Sequence, residues 1–354
     1  MNDCITLTVD YHDENCVIRY RHGTTGKEEV VTVPTTPTAL NAVVNRALAE
    51  AKGRPVVWIQ ESTTGWARVQ ALLGERVEFV LANVIQMPLP PKGRRRKTDK
   101  IDTARLQREY LNGSLPRAAT PGIWWRRVRR LVAAREDMVR RRTALRNWIN
   151  RYFAHETWED RSGFWSIRGR RGLAKRVESL PEWDGQIIRC KQEELDLLEK
   201  QLTELDGEFQ RIHEGWAEAQ RIDAVKGISV IGAVSIAARI GPIERFADAE
   251  VLIGYAGLAP GVQQSDQTCR NGRIGGGGTD KQLRHYLIEA SVWARRLGRY
   301  RGTYERVSKR RGKKIGRLVV ARMLLRSIFK MLRDGVKFEA EGRSNHRGNQ
   351  LTKA

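Results

Sequence analysis

Four acidic residues in a strongly basic chain have the spacing that divalent-metal chemistry requires. Asp10 and Glu61 each follow an apolar run, so each carboxylate comes at the end of a predicted strand. Asp99 and Asp102 lie three residues apart at the start of a predicted helix, which puts both on one helix face. Clustered carboxylates stay ionised only with a cation between them, and Mg²⁺ or Mn²⁺ takes such oxygen ligands. Each residue alone is typical of a cap or a surface charge, but the joint pattern predicts a metal site acting on a phosphodiester.

The elements that would position these carboxylates are predicted from hydrophobic periodicity in the first part of the chain. The predicted strands are 4–9, 15–20, 28–33, 56–60 and 77–81, and the predicted helices are 36–51 and 65–73. Three strands, a helix, a strand, a helix and a strand indicate a mixed α/β sheet. If the first and fourth strands are neighbours, Asp10 and Glu61 meet at one edge of that sheet.

The charge and composition narrow the class of protein. The 354 residues carry a formal net charge of +23 and are 40% hydrophobic, which indicates ordinary cores and a polyanionic partner. Nucleic acid is favoured over an anionic membrane, because the cations are spread over globular segments and no apolar run approaches the ~20 residues of a membrane span. The four cysteines lack zinc spacing. With no leader pattern at Met1, these features predict a cytoplasmic, nucleoid-associated protein.

Several basic segments are candidates for contact with nucleic acid. A Pro-rich loop over 87–97 leads into Asp99, and the predicted helix 124–153 contains ten arginines. A solvated face normally mixes charge signs, so this helix favours a phosphate backbone, whereas the loop could also be merely solvated. A further basic loop is predicted at 309–314. The predicted contacts in these segments are Arg94, Arg95, Arg96, Lys97, Arg126, Arg127, Arg130, Arg141 and Lys313.

The middle of the chain is predicted to be helical and elongated over 121–221. Residues 157–190 are predicted to be irregular because they contain Gly and Trp, and leucines over 193–212 have heptad-like spacing, which indicates a coiled-coil hairpin or a dimer seam. Next, the turn at 225–233 opens an apolar helix; its backbone amides could face a phosphate, or it could be a plain turn.

The same motifs, in the same order, carry a resemblance to a known family. They are Val9-Asp10, residues 60–66 and 97–104, the Arg-rich helix, residues 225–241, and residues 255–290. The chain resembles the DEDD transposases of bacterial insertion sequences, the class described as bridge-RNA-guided recombinases. The resemblance covers most of the chain and is weak over 157–190 and in the tail.

The resemblance implies a fold of the α/β plus α class in four regions. Residues 1–115 would form a RuvC-like (RNase H-like) catalytic domain with a mixed sheet, and 116–221 a basic helical and coiled-coil region. Residues 222–336 would form a mostly helical C-terminal transposase domain, followed by a flexible tail over 337–354.

The resemblance also implies a mechanism and partners. Asp10, Glu61, Asp99 and Asp102 would bind Mg²⁺, and Ser265, on its own typical of a polar turn, would attack DNA to give a phosphoserine link. The partners would be DNA (element ends and target), a guide RNA, and further copies in a homodimer or homotetramer. Cations near Ser265 that could compensate phosphate charge are Arg270, Arg273, Lys281 and Arg284.

Two departures from the family pattern bear on Ser265. Asp266 stands where the family usually has Gly, and the run Gly275–Gly278 replaces a Lys-containing stretch. Two other functions therefore stay open. One is a metal-dependent nuclease of the junction-resolvase type with water as the nucleophile, and the other is a non-catalytic nucleic-acid-binding derivative.

Overall fold

The computed structural model describes residues 3–23, 25–63, 65–87, 99–156, 163–265, 268–274 and 279–340. The side chains of 99–100, 260–265 and 268–274 lie outside that description. The chain forms two compact units, Met1–Thr120 and Pro121–Ala354. Within the described residues, no helix is both long enough and apolar enough to cross a bilayer.

The first unit is a five-stranded mixed sheet with helices on both faces. Its elements are β1 Ile5–Tyr11, β2 Asn15–Arg21, β3 Glu28–Pro34, α1 Pro37–Ala51, β4 Val56–Glu61, α2 Trp66–Leu73, β5 Glu78–Ala82 and α3 Asp99–Leu111. The strand order is β3-β2-β1-β4-β5. β1 pairs antiparallel with β2 and parallel with β4. The predicted mixed sheet is confirmed, and the first and fourth strands are neighbours, which was the condition for Asp10 and Glu61 to meet.

The two faces of this sheet are covered differently, because alternate residues of a strand point to opposite sides. On one face, Leu7, Val9 and Trp58 pack with apolar residues of α1 and α2. On the other, Val57 and Ile59 pack with residues of α3. Both faces are therefore buried, which is typical of the parallel part of a sheet.

The first unit ends at Thr120, five residues beyond the boundary expected from the sequence. The reason is backbone pairing, since Arg117 forms a bridge with Ala82 and Ala118 N donates to Leu81 O at 2.7 Å. The segment after α3 thereby extends the edge next to β5.

The second unit is mostly helical and joins the two regions that the sequence analysis separated at 221. Its elements are α4 Ile123–Glu156, α5 Ile167–Glu178, α6 Glu182–Glu214, α7 Ala217–Asp223, α8 Val230–Ile240, α9 Ala249–Tyr255, β6 Pro260–Ser265, β7 Thr268–Ile274, α10 Lys281–Ala294, α11 Gly298–Arg311 and α12 Lys313–Arg333. Val128 and Phe209 share one core with residues of α8, α10 and α12, so this core contains residues from both sides of 221.

The prediction of irregular structure over 157–190 is wrong for the described residues 163–190, which contain α5 and the start of α6. The glycines there permit close packing. A Cβ at Gly169 would lie 1.8 Å from the carbonyl oxygen of Gly163, and a Cβ at Gly185 would lie 3.2 Å from that of Val177. Composition alone does not distinguish a packing glycine from a loop glycine.

α4 and α6 form an antiparallel helical hairpin, which is one of the two arrangements, hairpin or dimer seam, that the heptad-like leucines left open. Leu145 of α4 packs against Leu195 and Leu198 of α6. Ion pairs run along the same seam, between Arg135 and Asp206 at 2.5 Å and between Arg146 and Glu199. The seam thus lies between two helices of one chain.

The predicted basic loop at 309–314 is wrong, because α11 and α12 are separated by Gly312 alone. The two helices approach closely at Gly316, where an added Cβ would lie 2.1 Å from Ser308 Oγ and 3.0 Å from the Tyr304 ring. The basic residues therefore lie at the end of one helix and the start of the next.

Gly316→Ala should destabilise the second unit by about 1–3 kcal/mol, because the new methyl group overpacks this crossing. Gly302→Ala in α11 is the matched control, since an added Cβ there meets nothing within 4 Å. This control should stabilise by about 0.5–1 kcal/mol. Urea unfolding of both variants measures the difference, and equal stabilisation by the two would contradict the packing described here.

Glu199 makes the stability of the second unit depend on pH. Burial by itself raises the pKa of Glu199, but the hydrogen bonds from Arg170 and Arg146 outweigh it and hold the pKa below its usual range. A lowered carboxylate pKa gives stability that is present above the unfolded-state pKa and is lost as pH falls through the folded-state pKa.

Glu199→Gln should therefore cost about 1–3 kcal/mol at pH 7, and the difference from wild type should shrink below about pH 4. Glu204→Gln, at an exposed position of the same helix, is the control and should show little change. Urea midpoints measured at several pH values test this expectation. A Glu199→Gln deficit that persists undiminished at low pH would argue against the ion pairs as its cause.

Candidate functional site

The pairing of β1 with β4 brings Asp10 and Glu61 side by side. The last paired residues of the parallel ladder are Val9 and Gln60, and the two carboxylates follow directly. Neighbouring strands lie about 4.8 Å apart. Both residues share the sheet face of Thr6 and Thr8, because side chains alternate along a strand. Each is partly buried at the carboxyl end of its strand.

Helix α3 covers that face and runs antiparallel to β1. Tyr110, near its end, packs with Cys4 at the start of β1. One turn earlier, the side chain of Gln107 lies 3.4 Å from the hydroxyls of Thr6 and Thr8. Continuing toward the N-terminus of α3 therefore leads along β1 toward Asp10. The first turn of α3, with Asp99 and Asp102, is directed to the end of the sheet where Asp10 and Glu61 lie.

The side chains brought together there fit a hard divalent cation in donor type. Asp10, Glu61 and Asp102 offer only carboxylate oxygens, which Mg²⁺ and Mn²⁺ prefer. Among the described side chains, however, no group of three His, Cys, Asp or Glu residues is close enough to hold a metal ion. The side chain of Asp99, the fourth predicted ligand, lies outside the description. Asp10 and Glu61 thus lie on neighbouring strands with the first turn of α3 directed toward them, while the described side chains form no complete ligand set.

Two residues at this edge were missed by the sequence analysis. His12 Nε2 lies 3.5 Å from Asp10 Oδ2, at the end of β1. The signal in the sequence that could have identified His12 was its position two residues after Asp10. Gln107, 2% exposed, anchors α3 over β1 through contacts with the two threonines. No local pattern marks Gln107, because its partners lie about a hundred residues away.

The loop after Glu61 depends on Gly65, which caps α2 with φ +89°. A Cβ at Gly65 would lie 2.4 Å from the Tyr11 ring, which belongs to the strand of Asp10. A larger residue would displace either Tyr11 or the loop that follows Glu61. Gly65 therefore helps to fix both carboxylate strands at their ends.

Ser265 lies at the tip of the hairpin that β6 and β7 form. It is the last residue of β6 and pairs with Thr268, so the two residues 266–267 connect the strands. A strand from Pro260 to Ser265 spans about 17 Å at ~3.3 Å per residue. The backbone of Ser265 therefore lies at the far end of the hairpin from its base. Its side chain, Asp266 and Gly275–Gly278 lie outside the described residues.

The base of this hairpin is fastened to the helical core. Asp280 N donates to Tyr255 O at 2.8 Å, which joins the segments before β6 and after β7. The Asp280 carboxylate lies 3.7 Å from Arg239 Nη1, and it caps α10. Arg322 Nε donates to Leu258 O at 2.5 Å. These contacts hold the stem from which Ser265 projects.

The predicted nucleic-acid contacts have several different environments. Arg127, Arg130 and Lys313 are exposed, and Arg126 is partly buried. Arg141 is exposed but lies 3.6 Å from Glu194, and Arg284 donates to Gly257 O at 3.4 Å. Outside the described residues lie Arg94, Arg95, Arg96 and Lys97, and likewise the side chains of Arg270 and Arg273.

The interpretation of α4 as a helix with a basic face of one sign needs correction. Arg129 donates to Ala238 O at 2.7 Å, and Arg135 and Arg146 pair with carboxylates of α6. The neutralising charges come from α6, far along the chain, so the sequence of α4 did not reveal them. Part of the positive charge of α4 therefore stabilises the packing of α4 against α6 and α8.

Comparison with known proteins agrees with this architecture. The family profile for transposases of the DEDD type (IS110 group) matches residues 8–154, and that of the transposase IS116/IS110/IS902 family matches residues 219–305. The chain belongs to the DEDD transposase family of bacterial insertion sequences. The first match contains Asp10, Glu61, Asp99 and Asp102, and the second contains Ser265.

Two curated relatives share about a quarter of their residues with the chain. A Pseudomonas aeruginosa protein described as a family 20 transposase is 26% identical over 237 residues, which are 64% of this chain. The transposase y4qE of Sinorhizobium fredii is 26% identical over 257 residues, which are 72% of this chain. The matched stretch spans 66% and 63% of those relatives' own lengths.

If the β1/β4 edge binds a divalent ion, Mg²⁺ or Mn²⁺ should raise the melting temperature of the protein. An ion that binds only the folded state stabilises it by about 2.7 kcal/mol at 100 times Kd. Asp10→Asn and Glu61→Gln should each remove most of this shift, as measured by calorimetry with and without the ion. Asp13→Asn is the control, because Asp13 is 80% exposed on the turn after β1. A full shift retained by Glu61→Gln would exclude this edge as the binding site.

Proposed function

We propose that this protein cuts and rejoins DNA strands at the ends of an insertion sequence and at its target. The observation that carries the proposal is the parallel pairing that sets Asp10 beside Glu61, with the first turn of α3 directed to the same edge. Carboxylates from separate elements at one sheet edge are typical of sites for metal-assisted phosphoryl transfer. The net charge of +23 supports a polyanionic substrate.

In the proposed site, Asp10, Glu61, Asp99 and Asp102 hold Mg²⁺ or Mn²⁺. The ion supplies Lewis-acid compensation of the charge on the phosphate. The four carboxylates fix its position, and the cations on exposed surfaces bind the DNA backbone on either side of the scissile phosphate. His12, beside Asp10, is placed to orient that carboxylate.

Ser265 is the proposed nucleophile. Its Oγ forms a bond to phosphorus as the bond from phosphorus to the leaving deoxyribose oxygen breaks, and the proton of the serine hydroxyl passes through solvent to that oxygen, which leaves as a hydroxyl group. Rejoining reverses these changes when another DNA hydroxyl attacks the phosphoserine. The hairpin supports this role because its tip projects from a stem that Asp280, Tyr255 and Arg322 hold. A projecting nucleophile can reach a phosphate bound elsewhere in the assembly.

The proposal includes an RNA that pairs with element and target DNA, and assembly as a homodimer or homotetramer. If base pairing with the RNA recognises the DNA sequence, the protein itself needs to bind mainly the phosphate backbone of the nucleic acids. Its many arginines are suited to that contact. The cytoplasmic, nucleoid-associated location belongs to the same proposal.

Trapping of a covalent adduct tests the nucleophile. The full-length protein, incubated with labelled element-end DNA, the element's non-coding RNA and Mg²⁺, should give a protein–DNA adduct that survives denaturing electrophoresis. Ser265→Ala should abolish both the adduct and cleavage. Thr268→Ala, which removes the hydroxyl of the residue paired with Ser265, should retain both.

The other outcomes separate the alternatives. Cleavage without adduct by Ser265→Ala would indicate a nuclease that uses water. Asp102→Asn should lower cleavage at least about 100-fold, the scale on which loss of charge stabilisation acts. If the wild-type protein binds the DNA but gives no cleavage, and Asp102→Asn changes nothing, the protein is a non-catalytic binding derivative.

A further inference from the structure

An exposed tryptophan is held rigidly at the end of α10. Trp293 is 56% exposed, which is unusual for so large an apolar side chain. The Cβ and Cγ atoms of Trp293 pack against the turn between α7 and α8. A Cβ added at Gly227 in this turn would lie 2.4 Å from Trp293 Cβ and 3.1 Å from its Cγ. Gly227 also has φ +100°. The backbone of the turn thus supports the indole while much of the ring faces solvent.

The surroundings of Trp293 carry positive charge. The guanidinium carbon of Arg296 lies 4.5 Å from the centre of the indole ring. Arg296 and Lys226 are both exposed. The nearby carboxylates are Glu289, exposed one turn earlier on α10, and Asp223, which lies 3.4 Å from His213. A planar aromatic surface is therefore combined with two cations.

A second exposed tryptophan lacks these features. Trp183 is 79% exposed, but it lies in the first turn of α6 between Glu182 and Asp184. Two carboxylates beside the ring would repel a phosphate backbone. Both indoles are exposed, and the neighbouring cations distinguish Trp293 from Trp183.

We propose that Trp293, Arg296 and Lys226 form a platform for an unpaired DNA strand. A base stacks on the exposed part of the indole or on the guanidinium over it, and the adjoining phosphates contact the two cations. Single-stranded DNA fits better than duplex, because the flat faces of bases are accessible only when they are unstacked. That the polymer is DNA rests on the proposed function, since cutting and rejoining releases unpaired strands.

Binding of labelled oligonucleotides to the full-length protein, with EDTA to prevent cleavage, tests the platform. Trp293→Ala should weaken single-stranded DNA binding about 10-fold, the scale of losing one stacked base. Trp293→Phe should retain most of the affinity because it keeps a ring. Arg296→Gln should reduce the slope of log K against log salt by about 0.7, as expected for one lost phosphate contact on a single strand.

Trp183→Ala is the matched control and should leave binding unchanged. Circular dichroism and the melting temperature of each variant show whether Trp293→Ala still folds, and Arg296→Gln tests the platform without touching Gly227. Equal affinity of Trp293→Ala and wild type, no binding of single-stranded DNA by wild type, or a loss confined to RNA would each overturn the proposal.

The cleavage assay separates this proposal from the proposed function. If Trp293→Ala binds single strands normally and wild type still cuts, the platform is excluded and the proposed function stands. If binding depends on Trp293 but wild type forms no cleavage product, the platform stands and the proposed function fails.

Discussion

The first unit depends on the parallel pairing of β1 with β4. These strands are neighbours in space but are separated by two strands and a helix in sequence, so the pairing fixes the order of the whole sheet. It aligns the carboxyl ends of β1 and β4, because parallel strands end at the same edge. Asp10 and Glu61 become adjacent for that reason alone. A shift of either strand by one residue would turn its carboxylate to the opposite face, since side chains alternate along a strand.

Helix α3 is held over the sheet partly by a buried polar contact. Gln107 is buried against Thr6 and Thr8, whereas Leu106 and Tyr110 pack against apolar residues. A buried amide costs free energy unless it is hydrogen-bonded, so this contact favours one register of the helix over β1. Packing of leucine alone would tolerate small shifts. The direction of the first turn of α3 toward the strand ends follows from that register.

The second unit distributes its positive charge between structure and surface. The acidic residues of α6 neutralise arginines of α4 along the helical hairpin, and Arg129 satisfies carbonyl groups at the end of α8. These arginines contribute to the fold and are less available to a ligand. The remaining exposed cations lie on other surfaces, among them the turn between α11 and α12 and the surroundings of Trp293. Total charge therefore indicates a polyanionic partner but does not locate its binding surface.

The sequence by itself determined the order and type of the main elements in the first unit, the helical character of α4 and α6, and the carboxylates at strand ends. These follow from local periodicity, in which each residue's neighbours along the chain carry the information. Only the structure showed that 163–190 contains α5 and the start of α6, because composition does not reveal that Gly169 and Gly185 permit close packing. The tertiary structure also decided which arginines are neutralised and that Gln107 anchors α3. The last two outcomes depend on groups far away in the sequence, and such contacts form only when the chain has folded.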